Sequence, residues 1–286
     1  MAVPSAAWYT GPPENTPPPC AESILAILVI SFRGALGQLA RKECTMKYEI
    51  LTQAIFLLLP VICLVLIFIG LNRAFAKLDP NKRRKKLLLF TAAVLIWTGI
   101  LCGLSLSGFI SDFTSFPPKF MIVVIIPLLA FVLLMRFGKL ENYLSEVPPS
   151  WLIAIQFFRV PVEIGLLLLF LDGLAPQQMT FEGLNFDVLS GILAPIVAFA
   201  AFSKGKFRRR LAIAYNILGL VLLLVILSVA MMSTPTPIRV FMNDPANTIV
   251  TYFPYVFLPG ILVPIAYYMH GFSLKQLLSK EFSGKG

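Results

Sequence analysis

The sequence predicts an all-α fold, a polytopic transmembrane helix bundle of about seven spans. Three observations carry this. The 286 residues are 58% hydrophobic, with a mean hydropathy of +0.84. The apolar residues fall into seven runs, each close to the roughly 20 residues that a hydrocarbon core of about 30 Å requires. The runs are continuous in Leu, Ile, Val and Phe, whereas a barrel strand facing a wet lumen would alternate apolar and polar positions, so helices are expected.

Residues 1–45 stand apart. Pro12, Pro13, Pro17, Pro18 and Pro19 oppose any helix, and this Pro-rich opening reads as a disordered tail. Ile24 to Phe32 is apolar but too short to span, and it reads as an interfacial helix. No basic residue precedes that stretch, which argues against a secretory signal. Met46-Lys47-Tyr48 leads directly into the first span, so Met46 is the expected natural start. Whether residues 1–45 belong to the native protein stays open at this point, and residues 46–286 form one predicted domain.

The spans read as 50–72, 87–110, 119–136, 151–171, 187–203, 210–232 and 250–270. Cys63 and Cys102 lie inside the first two and are expected to pack as small apolar residues, without the CxxC spacing of a metal or redox site. A structural disulfide between Cys20 and Cys44 in the tail is not expected. Gly103, Ser105, Ser107 and Gly108 in the second span read as small residues for close helix packing.

Chemistry concentrates in the fourth span. Spacings of three and four put Gln156, Arg159 and Glu163 on one helical stripe. A rise of 1.5 Å per residue from Trp151 places Arg159 about 12 Å and Glu163 about 18 Å into the membrane. Ionised side chains are costly there, so the two are expected to pair with each other and face the bundle or a water-filled cavity. Pro161 removes one backbone donor, freeing the carbonyl of Phe157 for a polar side chain such as Gln156. Asn216 in the sixth span lies at a depth from which it reaches the same layer.

The outer face holds a second polar cluster: Glu182, Asn185 and Asp187 before the fifth span, and Arg239, Asn243, Asp244 and Asn247 before the seventh. Asn185 or Asp187, and Asn247 or Thr248, are expected helix caps. Arg239 is expected to pair with an acid across loops. The seventh span carries Pro254, Pro259, Gly260 and Pro264, and interrupted helices of this kind line cavities in transporters. His270, the single histidine, falls at the end of that span and reads as interfacial.

Orientation follows from the bases. Placing alternate loops on one side collects seventeen Lys and Arg residues there against six on the other, which predicts an outer N-terminus and a cytoplasmic C-terminus. The net charge of +10 therefore lies along the cytoplasmic headgroups, with anionic lipid as the expected partner of the basic loops. Nucleic acid is not required to explain it.

The segment Met179-Thr-Phe-Glu182-Gly183-Leu-Asn185-Phe-Asp187, followed by Ala194-Pro195, resembles a family of uncharacterised bacterial multi-pass membrane proteins. Phe241-Met-Asn243-Asp-Pro-Ala-Asn247-Thr and Tyr252-Phe-Pro254 resemble its second hallmark. The resemblance covers Met46 to the C-terminus and implies a bacterial inner-membrane location. It implies no activity.

Several functions are excluded by residue type. The seventh span has no Lys for a retinal Schiff base, and one histidine cannot supply a metalloprotease ligand set. No histidine lies at a depth matching Ser105 or Ser107 to activate a nucleophile. The sequence calls for no metal and no cofactor, and it leans away from an enzyme. Two readings stay open: a bundle that binds, transports or senses a small solute, ion or lipid through Gln156, Arg159, Glu163 and Asn216, and a membrane-embedded scaffold or accessory subunit whose ion pair only sets helix register.

Overall fold

The computed structural model describes residues 47–137, 140–203 and 207–279. The Pro-rich tail, the Ile24–Phe32 segment, Cys20 and Cys44 lie outside the described residues, as do Lys139, Lys204, Lys206, Lys280 and Lys285. Every regular element among the described residues is helical. These are α1 (Glu49–Ala74), α2 (Pro80–Leu106), α3 (Met121–Phe137), α4 (Glu141–Leu144), α5 (Pro149–Ala154), α6 (Arg159–Leu171), α7 (Asp187–Phe202), α8 (Arg209–Met232) and α9 (Val263–Leu278). A 3₁₀ turn at Ile155–Phe158 joins α5 to α6, and a π-helical turn at Leu258–Leu262 leads into α9.

Among the described residues four helices are long and apolar enough to cross a membrane: Glu49–Ala74, Pro80–Leu106, the composite Pro149–Leu171 and Arg209–Met232. Helices α3 and α7 are shorter and also apolar. Their packing differs sharply. In the composite α5–α6 rod 61% of the apolar window is buried, and in α2 only 6%. Helix α2 nevertheless displays Leu88, Leu89, Leu95 and Ile96 on its surface. Such uncovered apolar faces on a helix of this length match the composition of a membrane span.

Local chemistry explains the helix ends and irregularities. Asp79 caps α2, its carboxylate accepting from the backbone N–H of Asn81 at 3.0 Å, with Pro80 at the first helical position. Pro264 has no N–H to offer the carbonyl of Gly260, one turn back. That carbonyl instead accepts from Nε1 of Trp97 on α2 at 2.8 Å. Ser105 adds a second tie, donating to the carbonyl of Thr251 at 2.8 Å. Gly103, expected to permit close packing, has no neighbour within 4 Å of where a Cβ would stand. The disturbance expected at Pro161 appears as the 3₁₀ turn before it. Gln156 does not turn back to Phe157 but crosses to the carbonyl of Ala266 on α9, at 2.9 Å.

Polar ties sort the connections to two ends of the bundle. At one end Lys77 pairs with Glu146 at 2.6 Å, Lys275 reaches the carbonyl of Met135, and Arg209 donates to the carbonyl of Leu277. At the other, Asp172 accepts from the backbone N–H of Tyr48, Ser105 meets Thr251, and Gln178 donates to Ser233. Between them α9 packs against α5 and α8, and α7 packs against α5, α6 and α8. The polar centre described below lies where α6, α7, α8 and α9 converge.

Candidate functional site

Two glycines let the four helices come close enough to bring polar side chains together. A Cβ on Gly191 of α7 would stand 2.9 Å from Cγ2 of Val160 and 3.2 Å from Cβ of Arg159. One on Gly219 of α8 would collide with the His270 ring and stand 3.0 Å from Oγ of Ser190. Only a residue without a side chain admits both neighbours.

Among the described residues Arg159 is the largest fully buried side chain. Its Nη1 donates to Oγ of Ser190 at 2.6 Å, lies 3.1 Å from Oδ1 of Asp187 and 3.4 Å from Nε2 of His270. The His270 tautomer follows from its other side. Nδ2 of Asn216 donates to the carbonyl of Ala212 and to Oγ of Ser273, leaving Oδ1 of Asn216 facing Nδ1 of His270 at 2.9 Å. Nδ1 therefore carries the hydrogen, and Nε2 is a lone pair offered to the guanidinium. The phenol of Tyr215 closes this side, donating to the carbonyl of Ser190 at 3.0 Å.

Glu163 lies one helical turn further along α6. It does not take the ion-pair role expected for it, because its carboxylate accepts from Nδ2 of Asn185 at 2.7 Å on both oxygens. Asn185 also donates to the carbonyl of Met179, and its Oδ1 accepts from the backbone N–H of Asp187. One residue thus orients Glu163 and opens α7. The centre holds two carboxylates for one guanidinium, and Nε and Nη2 of Arg159 are buried without a hydrogen-bond partner. Arg159, Glu163 and Asp187 form part of the wall of a cavity of about 80 Å³. Thr234 and Asn247 are the other polar members of that wall, and the remainder is apolar.

The model of a domain of unknown function, DUF8737, matches residues 117–278, more than half of the chain. The chain belongs to the DUF8737 family. No curated protein and no solved structure matches it. The matched residues run from just before α3 to the end of α9 and contain the whole polar centre and its cavity. Helices α1 and α2 precede the DUF8737 domain.

Within this domain the structure redistributes the residues that the sequence singles out. Gln156, Arg159 and Glu163 are all buried, and Asn216 joins them through His270 rather than by direct contact. Of the outer cluster, Asn185 and Asp187 belong to the buried centre. Neither is the N-cap of α7, a position that Phe186 holds without a side-chain cap; Asn185, one residue earlier, accepts from the backbone N–H of Asp187. Glu182 is exposed. Arg239 pairs inside its own loop, with the carbonyls of Phe241 and Asn243 and with Asp244 at 3.6 Å. Asn243 donates to Oε1 of Gln178 at 2.8 Å, and Asn247 donates to the carbonyl of Ala230; neither Asn247 nor Thr248 makes a side-chain cap.

His270 is the main residue that sequence reasoning misplaces. Counting the last span as 250–270 puts it at an interface, but α9 continues to Leu278, two turns beyond, and the ring is completely buried. Ser190, Tyr215 and Ser273 were also missed. The available signal was Ser190-Gly191 and Gly219, small residues in apolar helices that admit a close crossing.

Proposed function

We propose that this DUF8737 chain is a multi-pass integral membrane protein that binds a small molecule at the polar centre around Arg159. Seven helical rods cross the bilayer: α1, α2, α3, the composite α5–α6, α7, α8 and the π–α9 rod. The end that carries Lys77, Arg83, Lys275 and Arg209 is cytoplasmic, and its basic loops lie against anionic lipid headgroups. The end that carries Asp172, Gln178 and Asn243 is external. The alternation of polar ties between the two ends supports this topology, and the base asymmetry supports its direction. The resemblance of the Met179–Asp187 and Phe241–Thr248 segments to bacterial multi-pass proteins supports an inner-membrane location.

The observation that carries the binding reading is the cavity of about 80 Å³ beside a buried guanidinium whose Nε and Nη2 have no hydrogen-bond partner. A pair whose only task is to set helix register is best fully satisfied, because leftover buried donors cost about 1–3 kcal/mol each.

Thiol labelling tests this. In a chain with Cys63 and Cys102 replaced by Ala, Leu166→Cys on the cavity wall is expected to react with N-ethylmaleimide. Leu169→Cys, equally buried but away from the wall, is expected to stay inert. If both are inert in a folded preparation, the cavity is closed and the scaffold reading replaces this one.

A further inference from the structure

A groove of about 500 Å³ lies between the last turns of α1 and the first turns of α2, apart from the polar centre and ahead of the matched family domain. Its wall is graded along α2. Arg83 and Arg84 stand near the start of the helix, and Leu87, Leu88 and Thr91 follow at spacings of four, on the same stripe. Phe68 supplies the wall on α1. From Arg84 to Thr91 the helix rises about 10 Å, so one end of the groove is cationic and the other apolar. Phe68 and Leu88 are exposed there, while the hydroxyl of Thr91 is committed to the carbonyl of Leu87 at 3.0 Å.

The charge at the basic end is uncompensated. Nε and Nη2 of Arg83 donate to Oδ1 of Asn72 at 3.0 and 2.6 Å, which fixes the plane of the guanidinium and leaves Nη1 over. The guanidinium of Arg84 has no hydrogen-bond or ion-pair partner among the described residues, and none of those that line the groove is acidic. Asp79, in the adjoining turn, is directed to the backbone N–H groups of Asn81 and Lys82. Neighbouring bases are engaged elsewhere: Arg73 lies over the Trp151 ring, Lys86 over Phe75 and Tyr143, and Lys77 on Glu146. Two guanidinium groups without a carboxylate call for an anion, and their planar forks suit a phosphate. A free phosphate would use only the basic end and leave Phe68, Leu87 and Leu88 bare. A phosphate that carries an acyl chain covers both ends.

We infer that this groove binds an anionic glycerophospholipid, its phosphate on Arg83 and Arg84 and an acyl chain along Phe68, Leu87 and Leu88. The inference rests on the membrane reading proposed above and narrows the general attraction of basic loops for anionic headgroups to one site.

Native mass spectrometry of the full chain in dodecyl maltoside, titrated with dioleoylphosphatidylglycerol, tests it. Binding in detergent does not depend on which end is cytoplasmic, so a failure here leaves the orientation to be judged by reporter fusions. One phosphatidylglycerol is expected to bind about tenfold more tightly than dioleoylphosphatidylcholine, and Arg84→Gln is expected to weaken it about tenfold. Arg84 is exposed and its side chain ties no other element, so this variant folds. Lys82→Gln combined with Lys85→Gln removes two charges from the same turns without touching the groove wall, and is expected to leave the affinity within about twofold. Leu88→Ser is expected to weaken the lipid while leaving the thermal midpoint of the lipid-free protein unchanged. An equal or larger loss in the Lys82 and Lys85 variant than in Arg84→Gln overturns the site in favour of diffuse surface charge. Equal binding of phosphatidylcholine overturns the anionic head. Competition by sn-glycerol 3-phosphate or inorganic phosphate at the concentration of the lipid, or full affinity in Leu88→Ser, overturns the acyl chain and leaves a site for free phosphate.

Discussion

Replacing the Asp187 carboxylate should damage the protein far more than replacing that of Glu163. Asp187 supplies the carboxylate within ion-pair distance of Arg159, at 3.1 Å. In Asp187→Asn the guanidinium keeps Ser190 and His270 but loses its counter-charge inside an apolar bundle. Removing one partner of a buried pair costs about 3–5 kcal/mol. In Glu163→Gln the side-chain oxygen still accepts from Asn185, and one contact of the two at 2.7 Å is lost. That costs about 1 kcal/mol, and the variant also removes a carboxylate for which the centre has no second cation. At roughly 2–4 °C per kcal/mol for a chain of this size class, the expected losses are about 6–20 °C for Asp187→Asn and no more than a few degrees for Glu163→Gln. The assay is thermal unfolding of purified protein in detergent, followed by a thiol-reactive dye, since Cys63 is buried at 1% exposure and becomes reactive on unfolding. Arg159→Leu combined with Asp187→Leu should recover much of the loss, because both charges leave together. An equal or larger loss in Glu163→Gln than in Asp187→Asn would refute the reasoning and return Glu163 to the role of counterion.

Gly219→Ala should lower the midpoint by an overpacking cost of about 1–3 kcal/mol, because the added methyl meets the His270 ring; Gly103→Ala, with open space around it, should be neutral or stabilising, and equal behaviour of the two would contradict the close α8–α9 crossing. Trp97→Phe should cost about 1 kcal/mol or more by leaving the carbonyl of Gly260 without its donor, measured by the same melt, with Trp97→Phe as stable as wild type counting against the α2 tie. A topology reporter fused after Leu278 should be cytoplasmic and one inserted near Gln178 external; both on one side would refute the seven-span arrangement.

Most helix positions and the apolar character of their faces were legible in the chain because run length, proline and capping residues act locally; the exception is the seventh run, read as 250–270, whose helical rod runs from Leu258 to Leu278. Asp79-Pro80 opens α2 for reasons contained in three residues, and the fourth span needed only spacing to show that Gln156, Arg159 and Glu163 share a buried stripe. The limit came where a local feature had a distant answer. The carbonyl freed by Pro264 was bound to need a donor, but that the donor is Trp97 depends on how α2 lies against the π turn.

The pairing inside the centre was likewise decided in three dimensions. Spacing along one helix made Glu163 the natural partner of Arg159, since it is one turn away. The crossing of α6 and α7 permitted by Gly191 brings Asp187 to 3.1 Å instead, and Asn185 then takes Glu163. His270 appeared terminal only because hydropathy fades before α9 ends, whereas packing against Gly219 places its ring among Arg159 and Asn216. Sequence alone determined that charged groups lie deep within an apolar bundle, because composition and depth are properties of single helices. Which charges meet, and which donors of Arg159 are left without a partner, are properties of the crossings between helices, so only the tertiary structure decided them.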